Sequence, residues 1–223
     1  MTKTFKALAL LLSYPEADHR GAYGEALGIL RDEGLARVTA GLEKLVRQLE
    51  EDDLLDLQSR YVHLFDRGRA LSLHLYEHVH GESRDRGAAM VELVELYAQH
   101  GLALGPQELP DYLPVFMEFL SILPIETAID LLGEAGHVIE ALAERLRKRK
   151  SPYAAAMAAL ASLVGRHMHK QARDALLQQP DEDVDDLEAL DRVWAEEPVQ
   201  FGPDQSGCPQ ARDMLAQMAG GVR

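Results

Sequence analysis

Residues 115–123, VFMEFLSIL, are apolar on nearly every side of the helix they would form, with Glu118 the only charge after Asp111. A helix of that kind has no face to offer water, so it belongs at the centre of a bundle. Pro110 and Pro114 fit in or near its first turn, where a missing N–H is harmless. A central helix needs others around it, and apolar stripes at helical spacing recur along the chain. Phe5, Leu8 and Leu12 form one, stopped by Pro15; Tyr23, Leu27 and Leu30 form another, ended by Gly34. Leu42, Leu45, Val46 and Leu49 follow. Leu54, Leu57, Tyr61, Leu64 and Phe65 then line a helix opened by the acids Glu51, Asp52 and Asp53, which complement its dipole. Met90, Leu93, Val94 and Tyr97 give a further stripe, with Ser83 as N-cap. The expected fold is all-α, a single helical bundle.

Beyond the central helix come a segment over 125–150, ending in the basic run Arg145, Arg147, Lys148, Arg149 and Lys150, and an Ala-rich helix from about Pro152 to Leu177. Cations at a helix C-terminus are favoured by the dipole, and that accounts for the run. After Pro180 the character changes: residues 180–197 carry nine acids against one base, Arg192, with Trp194 the only tryptophan. The chain therefore divides into a helical domain, 1–179, and an acidic, flexible tail, 180–223, with one short helix around Leu187–Trp194. No stretch approaches the roughly 20 apolar residues that span a bilayer. The apolar run Ala7 to Leu12 is short and lacks a cleavage site, so a signal peptide is not expected. The lone Cys208 excludes a disulfide within the chain. These features point to a cytoplasmic protein. A net charge of −14 argues against nucleic acid and suits a basic partner.

Residues 71–87, LSLHLYEHVHGESRDRG, are dense in histidine. His74 and His78 stand four apart, the spacing of paired zinc ligands on a helix, but the pattern is H-L-Y-E-H rather than H-E-x-x-H. Only His80 or His63 offers a third ligand. Histidines hydrogen-bonded at a helix junction closed by Gly81 fit better than a metal site. No G-x-S-x-G and no phosphate-binding glycine loop occurs, so neither catalysis nor a cofactor is expected. The other reading of the cluster, a helical metalloenzyme using His74, His78 and His80, belongs to a different class.

Three stretches mix aromatics, acids and prolines: RYVHLFDRG at 60–68, LHLYEHVHGESRDRG at 73–87, and ELPDYLPVFMEF at 108–119. Together they predict a groove with an apolar floor and an acidic rim, suited to an amphipathic, basic helical peptide. On these stretches the chain resembles the NarJ subfamily of the TorD/DmsD-type chaperones, which assemble molybdoenzymes. WAEEPVQFG at 194–202 is similar to that subfamily's own ending.

The resemblance implies an all-helical cytoplasmic chaperone. It would bind the N-terminal segment of the respiratory nitrate reductase catalytic subunit and keep it competent for molybdenum cofactor insertion before membrane docking. Molybdenum cofactor biosynthesis proteins would be further partners. A same-fold chaperone for a sulfoxide or amine-oxide reductase is the nearest alternative. Carried onto this sequence, the family's motif positions are Tyr61, Leu64, Phe65 and Asp66, then Glu108, Pro110, Asp111, Glu118 and Phe119. Tyr76, Glu77, His78 and Arg84 of the middle stretch join them as peptide-binding candidates. Asp66, Asp111 and Glu77 are expected to meet basic residues, and Tyr61, Phe65, Tyr76 and Phe119 to supply apolar contacts. One departure stands out: Tyr112 occupies the place of a histidine in the family's E-x-P-D-H motif. A tyrosine keeps the ring but cannot become cationic near neutral pH.

Overall fold

A computed structural model describes residues 2–79, 84–106, 108–164 and 170–179, with backbone alone for Thr2, residues 36–40 and Arg84. His80, Gly81, Ser83, the Arg84 side chain, Trp194, Cys208 and the whole 180–223 tail lie outside the described residues. The chain divides into a unit Met1–Val184 and a unit Asp185–Arg223, and only the first contains described residues.

The helices in order are α1 (Thr2–Leu12), α2 (Ala22–Leu30), α3 (Ala36–Glu51), α4 (Leu54–Phe65), α5 (Leu75–Val79) and α6 (Arg84–Gln99). Then come α7 (Leu113–Ile122), α8 (Ile125–Glu134), α9 (Gly136–Lys148), α10 (Ala154–Leu163) and α11 (Lys170–Gln178). No strand occurs among the described residues, which form an all-α bundle. α7 is its centre. Leu113, Met117, Phe119 and Leu120 are fully buried, and α7 packs chiefly against α1, whose Leu8, Leu11 and Leu12 are as deep. α1 packs in turn on α2, while α9 supports α10 and α11. The α3–α10 crossing is tight because Gly41 faces Ala155, so that a Cβ on Gly41 would stand 3.0 Å from the Ala155 Cβ.

Several local expectations are revised. Asp53 alone caps α4, accepting from the backbone N–H of Leu55 and Asp56, whereas Glu51 closes α3. A carboxylate can satisfy those free N–H groups only from the residue just before the first turn. One is kept: Gly34 ends the second stripe as expected, with φ 95°, a left-handed conformation that a side chain would strain. The Ala-rich helix stops at Leu163 instead of running to Leu177. His74 lies outside α5, so it does not share a helix face with His78.

The basic run at the end of α9 is not uniform either. Arg147 pairs with Glu144 at 2.7 Å on the surface. Arg145 is only 3% exposed, and its guanidinium donates to the Ala70 carbonyl at 2.7 Å and the Leu176 carbonyl at 2.5 Å. Among the described residues, no helix is long and apolar enough to cross a membrane.

Candidate functional site

Two backbone hydrogen bonds tie the entry of α5 to the entry of α7. Leu75 N–H donates to the Asp111 carbonyl at 3.0 Å, and Leu113 N–H to the Leu73 carbonyl at 2.9 Å, making an antiparallel bridge between His74 and Tyr112. Beneath it sits the Asp111 carboxylate, with 0% exposure. A buried carboxylate must be met by donors. Here they are the His74 ring Nδ1 at 3.1 Å and the Tyr76 N–H at 3.2 Å, with the Arg86 guanidinium at 3.8 Å. The hydrogen bond to Asp111 raises the His74 pKa above its ordinary value.

Above the bridge runs a ladder of rings. The His74 and Tyr112 rings lie 5.4 Å apart, and the Tyr112 and Tyr61 hydroxyls meet at 2.5 Å. Tyr61 O–H donates to the Leu12 carbonyl at 2.8 Å, and its ring stands edge-on to Tyr14 at 5.5 Å. Burial raises the pKa of both phenols, so both stay neutral and serve as hydrogen-bonding struts.

Two concavities open on either side of this ladder. The larger, about 500 Å³, has an apolar floor of Tyr14, Leu109, Tyr112, Pro114 and Val115, and acids Glu16, Asp66, Glu108 and Glu118 on its walls. The smaller, about 400 Å³, is lined by Phe65, Arg69, Ser72, Glu77 and Arg86 among others. Asp66 and His74 line both. The Asp66 side chain makes no hydrogen bond or ion pair among the described residues, and partial desolvation raises its pKa above the ordinary carboxylate value. A carboxylate stripped of some water, near His74 but without a direct ion pair, gains from a base brought to it. Nearby Glu77 is already paired, with Arg86 at 3.3 Å.

The sequence-predicted residues therefore separate into groups. Asp66, Glu108, Glu118 and Tyr112 come together around the larger concavity, with Tyr61 behind them, and Glu77 lines the smaller one. Tyr76 is half-buried near them, its N–H on Asp111. Asp111 does not stand on a rim: it is fully buried and holds His74 and the α5 entry in place. Phe65 and Phe119, at 1% and 0% exposure, are core residues, with Phe119 against the Tyr97 ring at 4.5 Å. Pro110 is buried, and its carbonyl accepts the Tyr97 O–H at 2.8 Å. His78 is buried with its Nε2 on the Ser72 carbonyl at 2.8 Å, and burial lowers its pKa. Leu64 lines a different cavity.

Ser13, Tyr14, Glu16 and His19 form a wall that sequence reasoning missed. The signal lay in SYPEADH, where an aromatic, an acid and a histidine cluster just past the Pro15 helix stop. His74 was expected as a hydrogen-bonded histidine at a helix junction, and its ring is hydrogen-bonded, with Asp111 as the partner that sequence could not name.

A family model described as nitrate reductase delta subunit matches residues 31–159. The chain belongs to that family. It is 43% identical over 204 residues to the nitrate reductase molybdenum cofactor assembly chaperone NarJ of Escherichia coli strain K12, covering 89% of this chain and 84% of that protein. NarW of the same strain, also named as such a chaperone, is 38% identical over 201 residues, with coverage of 90% and 84%. A solved structure from Archaeoglobus fulgidus, described as a redox enzyme maturation protein, shares the fold with a TM-score of 0.54. It is 24% identical and covers 74% of this chain and 94% of that one. Membership of the NarJ group makes the chain a chaperone rather than an enzyme.

Proposed function

We propose that the protein is a system-specific chaperone for a respiratory nitrate reductase. It binds the N-terminal segment of the catalytic subunit in the cytoplasm and holds that subunit ready for molybdenum cofactor insertion before membrane docking. Molybdenum cofactor biosynthesis proteins meet the complex at that stage. The reading draws its target from the names of the relatives and its ligand chemistry from the site. The observation that carries it is Asp66, an unpaired, partly desolvated carboxylate where two concavities meet, with an apolar floor beside it. An amphipathic peptide lays its apolar face on Tyr14, Leu109 and Val115 and brings a base to Asp66, with Glu16 and Glu118 as the outer rim. Asp111 contributes by fixing His74 and the bridge, not by touching the peptide.

Titration calorimetry with the catalytic subunit's N-terminal peptide tests this. Binding that a scrambled peptide of the same composition does not reproduce is expected. Equal, weak heats from both peptides would refute the reading.

A further inference from the structure

On the other side of α4 lies a cavity of about 660 Å³, larger than either concavity of the acidic site. Leu55, Ser59 and Val62 face it, at positions that helical spacing places away from Tyr61 and Phe65. Its floor is core: Leu45, Leu49, Leu57 and Tyr153 are all under 9% exposed. Its rim is apolar and open, with Leu55 at 74% exposure and Val62 and Tyr14 at 37%.

The charge of this lining is unlike that of the chain. Acids outnumber bases 37 to 23 overall. Yet among the described residues the groove is lined by Arg60, His63 and Arg67 and by no carboxylate. Arg60 is paired with Asp52 at 2.5 Å, toward the N-terminal end of α4. The Arg67 guanidinium, just past the other end, is exposed and has no hydrogen bond or ion pair among the described residues. An apolar trough with an uncommitted cation at one end is complementary to an amphipathic helix bearing carboxylates.

We propose that this groove docks an acidic amphipathic helix of a protein partner, a ligand opposite in charge to the one assigned to the acidic site. The two surfaces share only Tyr14 among their lining residues. The acid-seeking groove thus lies along α4, while the base-seeking site begins at Asp66, just past its end. This inference does not depend on the identity of the peptide in the acidic site.

The test uses the full chain and two fluorescein-labelled synthetic helical peptides of about 15 residues, enough to form a helix on binding. Both carry leucines at i, i+4 and i+7; one has flanking glutamates, the other flanking lysines. Anisotropy titrations should show the glutamate peptide binding about tenfold more tightly than the lysine peptide. Arg67→Glu should abolish that preference. Leu55→Asp should weaken the glutamate peptide about tenfold; the variant should fold, because the site is exposed and an acid is favoured in a first helical turn. Asp66→Asn, in the acidic site, should leave glutamate-peptide binding unchanged. Equal binding of both peptides, or glutamate-peptide binding that survives Leu55→Asp, would overturn the proposal. So would sedimentation showing that Leu55→Asp converts a dimer to a monomer, because the groove would then be an interface between copies of this chain.

Discussion

The stretch from residue 108 to residue 122 is held in two different ways on either side of Tyr112. From Leu113 onward, α7 is fixed by apolar burial, which is strong and non-directional. Before it, Asp111 and Tyr112 are fixed by hydrogen bonds to His74, Tyr76 and Tyr61, which are directional and fail if one partner is lost. The apolar half sets where the scaffold is. The polar half sets how the α5 entry, His74 and the ring ladder are oriented, and so shapes the site.

The largest expected effect breaks the apolar half. Phe119→Ala should cost about 3–5 kcal/mol in urea unfolding, the usual range for emptying an aromatic core site. Peptide affinity of the folded fraction should stay as it was; a large loss of affinity with stability intact would put Phe119 in the site and erase the contrast. Asp111→Asn comes next, at about 2–3 kcal/mol, since it breaks a buried pair with a partly exposed partner. It should also change how melting depends on pH. The His74 pKa is raised in the fold, so its stabilisation is complete below the ordinary value of 6.5 and is lost as pH rises through the raised value. The His78 pKa is lowered, so its contribution is complete above 6.5 and is lost as pH falls through the lowered value. The two oppose one another in the wild type. Asp111→Asn should leave mainly the His78 slope, with melting temperature climbing more steeply as pH is raised from acid toward neutral.

Tyr112→Phe keeps the ring against His74 and removes the hydroxyl's contacts with Tyr61 and with the Tyr14 backbone, so about 1–2 kcal/mol is expected from the same unfolding measurement. Asp66→Asn should be smallest in stability, within about 0.5 kcal/mol, because the carboxylate has no partner to lose. Its effect should appear in binding instead. Affinity for the catalytic subunit's N-terminal peptide should fall about fivefold at low salt and less at high salt. Wild-type affinity should fall as pH drops through the raised Asp66 pKa, and the Asn variant should lack that fall.

The apolar half was legible in the sequence and the polar half was not, for a physical reason. A helix apolar all round has only one place to go, so α7 could be read from VFMEFLSIL alone. An aspartate in a Pro-rich entry segment reads as exposed, and its burial depends on donors far away in the chain, His74, Tyr76 and Arg86. The shared helix face of His74 and His78 was misleading for a related cause: their i, i+4 spacing suggests it, but α5 begins one residue after His74, which is hydrogen-bonded as expected. Asp66, Glu108 and Glu118 were visible because exposed acids, at the end of α4, in a turn and as the one charge of α7, need no distant contact to be located. Tyr112 in the place of the family's histidine loses a titratable ring, yet His74 lies 5.4 Å from it with a raised pKa, so a protonatable group remains at this point of the site.

Arg145 gives the bundle a mechanical property. A nine-residue helix at the end of a domain ordinarily frays from its last turn. α11 is instead riveted there, because the Arg145 guanidinium grips the Leu176 carbonyl and, at 3.5 Å, that of Gln179, while holding the Ala70 carbonyl with its other amino group. Ala70 belongs to the short turn Arg69–Leu71, whose Arg69 in turn donates to the Glu77 carbonyl at 2.9 Å. Tension applied to the chain beyond Gln179 therefore meets, besides the Arg173–Glu140 pair and the buried Leu176 that hold α11 on α9, one side chain that leads it on to the turn beside the smaller concavity.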